Sequence, residues 1–383
     1  MLRHRPEVSL VLLALTLVAG CTRGSDAIVL AVALLPAELP VYRSVVADFE
    51  RESGHRVMIV PQQYSDIRRA VAAESRAGRG TLDLVELDVY SLAPSAADVA
   101  VLDEGALGEE LAVLDEQALE AGTIDGLRFL PHRLAWQAMI YDHEVLGRAP
   151  GSWDELLEVA RAHPGKIGLK AALYEGLTCD VLPLVWSAGG DGESLADPGA
   201  VAALQMLREL APYLHPHSET FKEATISEAM ARGEIVLHLN WPAVMALYQS
   251  QGLAPQRLRS APLPQGPQGR ATVLGGGYLA IPRAAPHREQ ALSLARFLLG
   301  RHAQQRLAQE AGWFSARRDV QLKDAAGVLT GFLEMRKDVR PRPERKDYPR
   351  LSHAWQKAAR AVLFEHAEPA QALAQAREEL QAR

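Results

Sequence analysis

Cysteine is nearly absent from this chain: its 383 residues hold only Cys21 and Cys179. A disulfide framework is therefore excluded, and packing has to supply the stability. Positive charge in excess is missing too, since 41 basic side chains stand against 47 acidic ones. That balance argues against nucleic acid as a partner. The chain also lacks a second apolar run of membrane-spanning length, internal repeats, low-complexity tracts and long disordered linkers. Motifs that would announce common enzyme chemistry are missing as well: there is no Gly-x-Ser-x-Gly elbow, no phosphate-binding loop and no His-Glu-x-x-His zinc motif. Gly275-Gly276-Gly277 is not a dinucleotide fingerprint. What remains is an ordinary folding composition, 48% apolar and 23% charged, with enough length for two domains.

The N-terminus is the first positive signal. A basic start from Met1 to Arg5 precedes an apolar run from Val8 to Ala19, which is shorter than the roughly 20 residues a spanning helix needs. That order predicts a secretion signal over residues 1–20. Its end, Leu17-Val18-Ala19-Gly20-Cys21, resembles the lipobox of bacterial lipoproteins. The resemblance implies that Cys21 is acylated, becomes the new N-terminus and anchors the protein to a membrane; an ordinary signal peptide with a chance cysteine is the alternative. Several acyl chains on one residue give a stable anchor where one would be marginal. Removing residues 1–20 takes away Arg3, Arg5 and Glu7 and moves the net charge from −6 to −7. Residues 21–26 then form a short tether, so the domain is expected to work outside the cytoplasm, beside a periplasmic or cell-surface membrane and next to another membrane component. Cys179, left alone between Leu177 and Leu182, reads as a small buried hydrophobe.

Along the mature chain, Ile28 to Leu35 and Arg56 to Val60 read as strands around a helix from Leu39 to Glu52, whose Val41, Val45, Val46 and Phe49 fall at helical spacing. Ile67 to Ala77 is a second helix and Leu82 to Leu87 a third strand. The alternation predicts an α/β fold with a parallel or mixed sheet covered on both faces. Leu127 to Leu130 then reads as a strand leading into a crossover at Pro131, Ala138 to Tyr141 as another, and Ser152 to Leu157 as a helix start with a Ser152–Glu155 capping box. Helical patterns recur at Cys179 to Ala188, Pro198 to Ala211 and Thr225 to Arg232. Ile235 to Leu239 is a strand ending at Asn240-Trp241-Pro242, and after the stretch from Leu274 to Pro282 the chain is largely helical.

Several segments, taken together and in order, resemble trehalose/maltose-binding lipoproteins, within the extracellular solute-binding family of ABC importers. They are Tyr174-Glu175-Gly176-Leu177-Thr178-Cys179-Asp180, Leu239-Asn240-Trp241-Pro242, Leu274-Gly275-Gly276, Gly312-Trp313, and Arg342-Pro343 followed by Tyr348-Pro349 and Leu351-Ser352. The agreement runs from about Ile28 to about Glu379. It implies a two-lobe periplasmic-binding-protein-like fold with a ligand cleft between the lobes and several hinge crossings. One lobe would comprise 26–131 plus 265–312 and the other 132–264 plus 313–383. Pro131-His132 and Pro255 to Gly269 would lie at or near the hinges.

The same resemblance implies a monomer that binds a disaccharide, oligosaccharide or polyol and hands it to the permease subunits of an ABC importer with a cytoplasmic ATPase, without a cofactor. It would hold the ligand with Glu38, Asp88, Gly275 and Gly276 on the first lobe and with Trp241 and Arg342 on the second. Sugars are held by aromatic faces on their C–H surfaces and by carboxylate or guanidinium forks on hydroxyl pairs, which suits these types. Arg340 is the alternative if the register slips. Tyr174 and Glu175 shape the second lobe's wall or touch ligand; Tyr64, Trp136 and Tyr278 are aromatic candidates in the same neighbourhoods. Two departures bear on specificity: Ala135 stands where an aspartate is expected and Gly277 where a stacking tryptophan is. Other readings stay open, namely a ligand sensor for a membrane receptor, a carbohydrate-active enzyme using Glu38, Asp88 and Glu175, or a metal binder built on His215 and His217 with His132 and His238 elsewhere.

Overall fold

The computed structural model describes residues 27–34, 38–322, 324 and 326–382. The signal segment, Cys21 and the 21–26 tether lie outside the described residues, as does Leu35. The chain opens as β1 (Ala27–Val32), α1 (Leu39–Ser53), β2 (Arg56–Pro61), α2 (Tyr64–Ala77) and β3 (Leu84–Asp88), the alternation that the apolar periodicity predicts. In α1, Tyr42, Val45, Val46 and Phe49 form the buried stripe, and Gly54 ends the helix in the left-handed conformation at φ 74°. Strands β2, β1 and β3 lie parallel, in that order.

The rest of this sheet comes from far along the chain. β4 (Leu130–Trp136) is followed directly by β5 (Ala138–Asp142), then by α3 (Trp153–Ala162), α4 (Glu175–Ser187), α5 (Pro198–Leu210), α6 (Glu223–Ala231), β6 (Leu237–Asn240), α7 (Ala243–Ser250), β7 (Leu258–Ala261) and β8 (Thr272–Ala280). The C-terminal part adds α8 (Arg288–Leu299), α9 (Arg301–Ala311), β9 (Phe314–Ser315), β10 (Val339–Arg340), α10 (Tyr348–Phe364) and α11 (Pro369–Gln381). β8 inserts antiparallel between β3 and β4, giving a seven-stranded mixed sheet in the order β2-β1-β3-β8-β4-β9, with β10 beside the start of β8. A separate three-stranded antiparallel sheet, β6-β5-β7, forms the second lobe's centre. One of its faces packs with Met139 and Leu237 against the core of α4, α5 and α10, where Trp355 is fully buried.

Pro131 does not end its strand. The pairing of β4 with β8 skips from Pro131 to Arg133, and this bulge at His132 accommodates a residue without an N–H. β4 stays in the larger sheet through Trp136, and the chain crosses to the smaller sheet at Gln137. That residue is buried and tied to both lobes: its Nε2 donates to Asp180 Oδ1 of the second at 3.0 Å, and its carbonyl accepts from Thr272 Oγ1 of β8 in the larger sheet at 2.9 Å. Lys170, also buried, completes the anchor by donating to Asp180 Oδ1 at 2.6 Å and to the Leu239 carbonyl at 2.8 Å. Only half of the predicted capping box forms. Ser152 accepts from the Glu155 N–H, but the Glu155 carboxylate is spent on the Gly151 N–H and on Arg148.

Candidate ligand cleft

Strand register decides which side chains share one face of the larger sheet. Asp88 pairs with Gly277, Arg133 with Gly277 and Ala135 with Gly275, so Glu86 and Asp88 of β3, Gly277 and Gly275 of β8, and Arg133 and Ala135 of β4 lie on the same face. The central strand therefore offers two adjacent tiles without side chains. A Cβ on Gly275 would fall 2.7 Å from Cζ3 of Trp241, and one on Gly277 would fall 2.2 Å from Oε1 of Glu86. The first tile is covered by the indole of Trp241, which arrives from the end of β6 in the second lobe and is half-buried. The second is covered by Glu86.

Over the first tile's neighbourhood, groups from both lobes converge on Arg342. Its guanidinium donates to Asp88 Oδ1 at 2.8 Å and to Glu175 Oε1 at 2.9 Å, with Cys179 Sγ at 3.6 Å and the Tyr90 ring 5.0 Å from its carbon. Asp88 ends β3, whereas Glu175 opens α4. Glu175 also accepts from Tyr348 at 2.5 Å and from Ser352 at 2.6 Å. The side chain of Arg342 is 3% exposed, but Asp88 and Glu175 keep 19% and 24%. Burial raises the pKa of Asp88 against the pull of Arg342, and burial pushes the Cys179 thiol up as well.

A second charged cluster covers Gly277. Glu86, fully buried, accepts from His132 Nδ1 at 2.9 Å, Arg133 at 2.9 Å and the Tyr64 hydroxyl at 3.1 Å. Burial opposes the charge of Glu86, but Arg133 and His132 outweigh it and hold the carboxyl below its usual range. Arg133 also meets Glu38 Oε1 at 3.4 Å, the Tyr64 hydroxyl at 3.0 Å and the Ala33 carbonyl, while its carbon stacks 4.2 Å from the Trp313 ring centre. Trp313 donates to Glu38 Oε1 at 2.7 Å.

The family described as bacterial extracellular solute-binding protein matches residues 44–328. The chain belongs to this family. A relative in Deinococcus radiodurans, a "Probable ABC transporter-binding protein", is 28% identical over 253 residues, 58% of this chain and 60% of that protein; the chain thus spans less than two thirds of that relative's length. Among solved structures, maltose-bound MalE3 of T. maritima is 26% identical with a TM-score of 0.80 and coverage of 93% of this chain and 99% of that one. An ABC transporter solute-binding protein from Thermotoga lettingae TMO, bound with α-D-tagatose, superposes with a TM-score of 0.82 at 22% identity, covering 94% and 99%, and supports the fold alone.

In this solute-binding protein the residues predicted from sequence divide by strand parity. Asp88, Glu175, Trp241, Gly275 and Arg342 gather between the lobes; Glu38 and Tyr64 join the Arg133 cluster beside them. Tyr174 is half-buried next to Glu175, with the Lys222 ammonium 5.4 Å from its ring. Trp136 and Tyr278 do not face the cleft. Each follows a cleft-facing position by one residue, so alternation turns it to the opposite face. Trp136 is 4% exposed, stacked 4.4 Å from Phe314 and donating to the Phe332 carbonyl at 2.5 Å, and Tyr278 is fully buried. Gly276 also points away. Its φ of 143° and a would-be Cβ 2.3 Å from the Arg133 carbonyl show that glycine is needed there for strand packing. Gly275 makes room for Trp241.

Glu86 and Arg133 are the cleft residues that sequence reasoning missed. A signal was present: one acid inside Leu84-Val85-Glu86-Leu87 and one base inside Pro131-His132-Arg133-Leu134, each in an apolar strand where an unpaired charge is costly. The histidines of the metal reading are used otherwise. His132 holds Glu86, His238 contacts Tyr248 at 3.3 Å, and the His215 ring stacks on Phe221 at 5.2 Å while its Nδ1 accepts from the His217 N–H. Among the described residues no group of three or more His, Cys, Asp or Glu side chains is placed to hold a metal ion. No helix among them is long and apolar enough to cross a membrane.

Proposed function

We propose that this protein is a lipid-anchored, extracytoplasmic binding protein that captures a carbohydrate between its lobes and delivers it to an ABC importer as the lobes close. The observation that carries the reading is that Trp241 lies over Gly275 while Arg342, bridging Asp88 and Glu175 from both lobes, reaches the adjoining Leu274 carbonyl at 3.5 Å. Rings and forks of this kind match the C–H faces and vicinal hydroxyls of a sugar. Ligand favours closure only through contacts that exist in the closed state, and residues from both sides of the hinge supply them. Asp88 and Glu175 are both tied up by the guanidinium of one arginine, which suits binding better than hydrolysis. Trehalose and maltose are candidates for the solute, and Cys21 for the anchor. The lobes follow 26–131 plus 265–312 and 132–264 plus 313–383, with the first crossing moved to Gln137 and the segment around β9, from Trp313 to Arg317, counted with the first lobe, since β9 pairs with β4.

The test is the thermal midpoint of the chain from Asp26, which holds every described element, against monosaccharides, disaccharides, longer oligosaccharides, polyols, sugar acids and divalent metals. A ligand that binds only the folded state raises the midpoint by mass action. A carbohydrate-specific shift that disappears in Trp241→Ala supports the reading. A folded chain that responds to no carbohydrate refutes it.

A further inference from the structure

The two glycine tiles on β8 are covered by different chemistry, and this difference limits what the cleft can hold. Gly275 lies under Trp241, whose half-buried indole comes from the opposite lobe and moves with it. Gly277 lies under Glu86, a side chain of the same lobe with no solvent exposure. Glu86 cannot step aside easily. It is clamped by His132 and Arg133, while Arg133 spends its donors on Glu86, Glu38, Tyr64 and the Ala33 carbonyl and lays its flat face on Trp313. The face of Trp313 is thereby withdrawn from any ligand. Residues two apart on a strand are separated by about 7 Å, roughly the footprint of one sugar ring. A ring beyond the Trp241 end of the floor would have to occupy the space that the Arg133–Glu86 pair fills.

Resting on the reading of the cleft as a carbohydrate site, we propose that the Arg133–Glu86 pair is a fixed plug that ends the cleft at Gly277 and restricts the ligand to one or two sugar units. Arg133 and Glu86 are thus specificity-determining residues that act by exclusion. Negative selection of this kind needs no contact with the accepted ligand, only a clash with the rejected one. The charge pair makes a firmer stop than an aromatic ring would, because opening it strands a buried carboxylate.

Titration calorimetry on the chain from Asp26 tests this with glucose, trehalose, maltose, maltotriose and maltotetraose, extended to the one- and two-unit-longer homologues of whichever mono- or disaccharide binds best. Affinity is expected to peak at one or two units and to fall by about tenfold or more on lengthening, the discrimination that a pocket of fixed size commonly gives. In the double variant Glu86→Ala/Arg133→Ala, which removes both charges together, the ratio of long-homologue to short-ligand affinity should rise by about tenfold, whatever happens to the affinity for the short ligand itself. Wild-type affinity that holds or rises up to the tetrasaccharide overturns the plug. So does a cooperatively melting double variant with an unchanged length profile. If the double variant does not fold, the wild-type length series decides alone. A folded wild type that binds no carbohydrate at all instead refutes the function proposed above.

Discussion

Gly275 and Gly277 sit two residues apart on one face of one strand, yet alanine at each should do opposite things. At Gly277 the new methyl would fall 2.2 Å from Glu86 Oε1 and 2.3 Å from its carboxyl carbon. Glu86 would have to leave His132, Arg133 and Tyr64, and displacing a buried, paired carboxylate costs about 3–5 kcal/mol. At Gly275 the methyl would meet the edge of Trp241 at 2.7 Å. That indole is half-buried and can tilt, so overpacking of about 1 kcal/mol is partly offset by the roughly 0.4–1 kcal/mol that alanine takes from the unfolded chain's freedom. Urea unfolding of the two variants should therefore show Gly277→Ala severely destabilised and Gly275→Ala near wild type. Ligand titration of Gly275→Ala should nonetheless show a lower affinity, because the methyl displaces Trp241 from its seat over the strand. Equal stability of the two variants would refute the placement of Glu86 over Gly277.

Replacing Arg342 with methionine leaves Asp88 and Glu175 facing one another; because both keep some solvent, the cost at neutral pH should be about 2 kcal/mol, below the range for fully buried pairs. Asp88 is already raised by burial and would rise further, so the folded variant binds more protons than the unfolded chain above the carboxylate's ordinary range. The deficit should therefore shrink as pH falls. Denaturation at pH 8 and pH 5 checks this, and a deficit that grows on acidification contradicts it. Lys170→Met strands Asp180, which is 1% exposed, and should cost about 3–5 kcal/mol by the same denaturation. A near-neutral result would mean that the Gln137 crossing is held by other contacts. Cys179, buried with its thiol pushed up, should resist alkylation in the native protein and react fully in urea; rapid native labelling would show that the helix opening at Glu175 is loose.

Local signals made much of the first lobe legible. The helical spacing of Val45, Val46 and Phe49 and the apolar runs that became β1 and β3 are each set by neighbours within a few residues, so period suffices to find them, although the buried stripe takes in Tyr42 in place of the predicted Val41. The half-formed box at Ser152 shows the limit. Ser152 and Glu155 have the right spacing, but Arg148 and Gly151 compete for the carboxylate.

The sequence by itself determined the exported, disulfide-free α/β character, the family, and five of the groups that meet between the lobes: Asp88, Glu175, Trp241, Gly275 and Arg342. Only the tertiary structure decided how β8 enters the sheet. Its antiparallel insertion between β3 and β4 joins strands nearly 200 residues apart, and no local rule specifies that register. Once it is set, parity follows: Gly275 and Gly277 face the cleft, while Gly276, Tyr278 and Trp136 do not. The same pairing brings Arg133 across Gly277 to Glu86, because two buried charges of opposite sign have to find each other and only the folded sheet places them within reach.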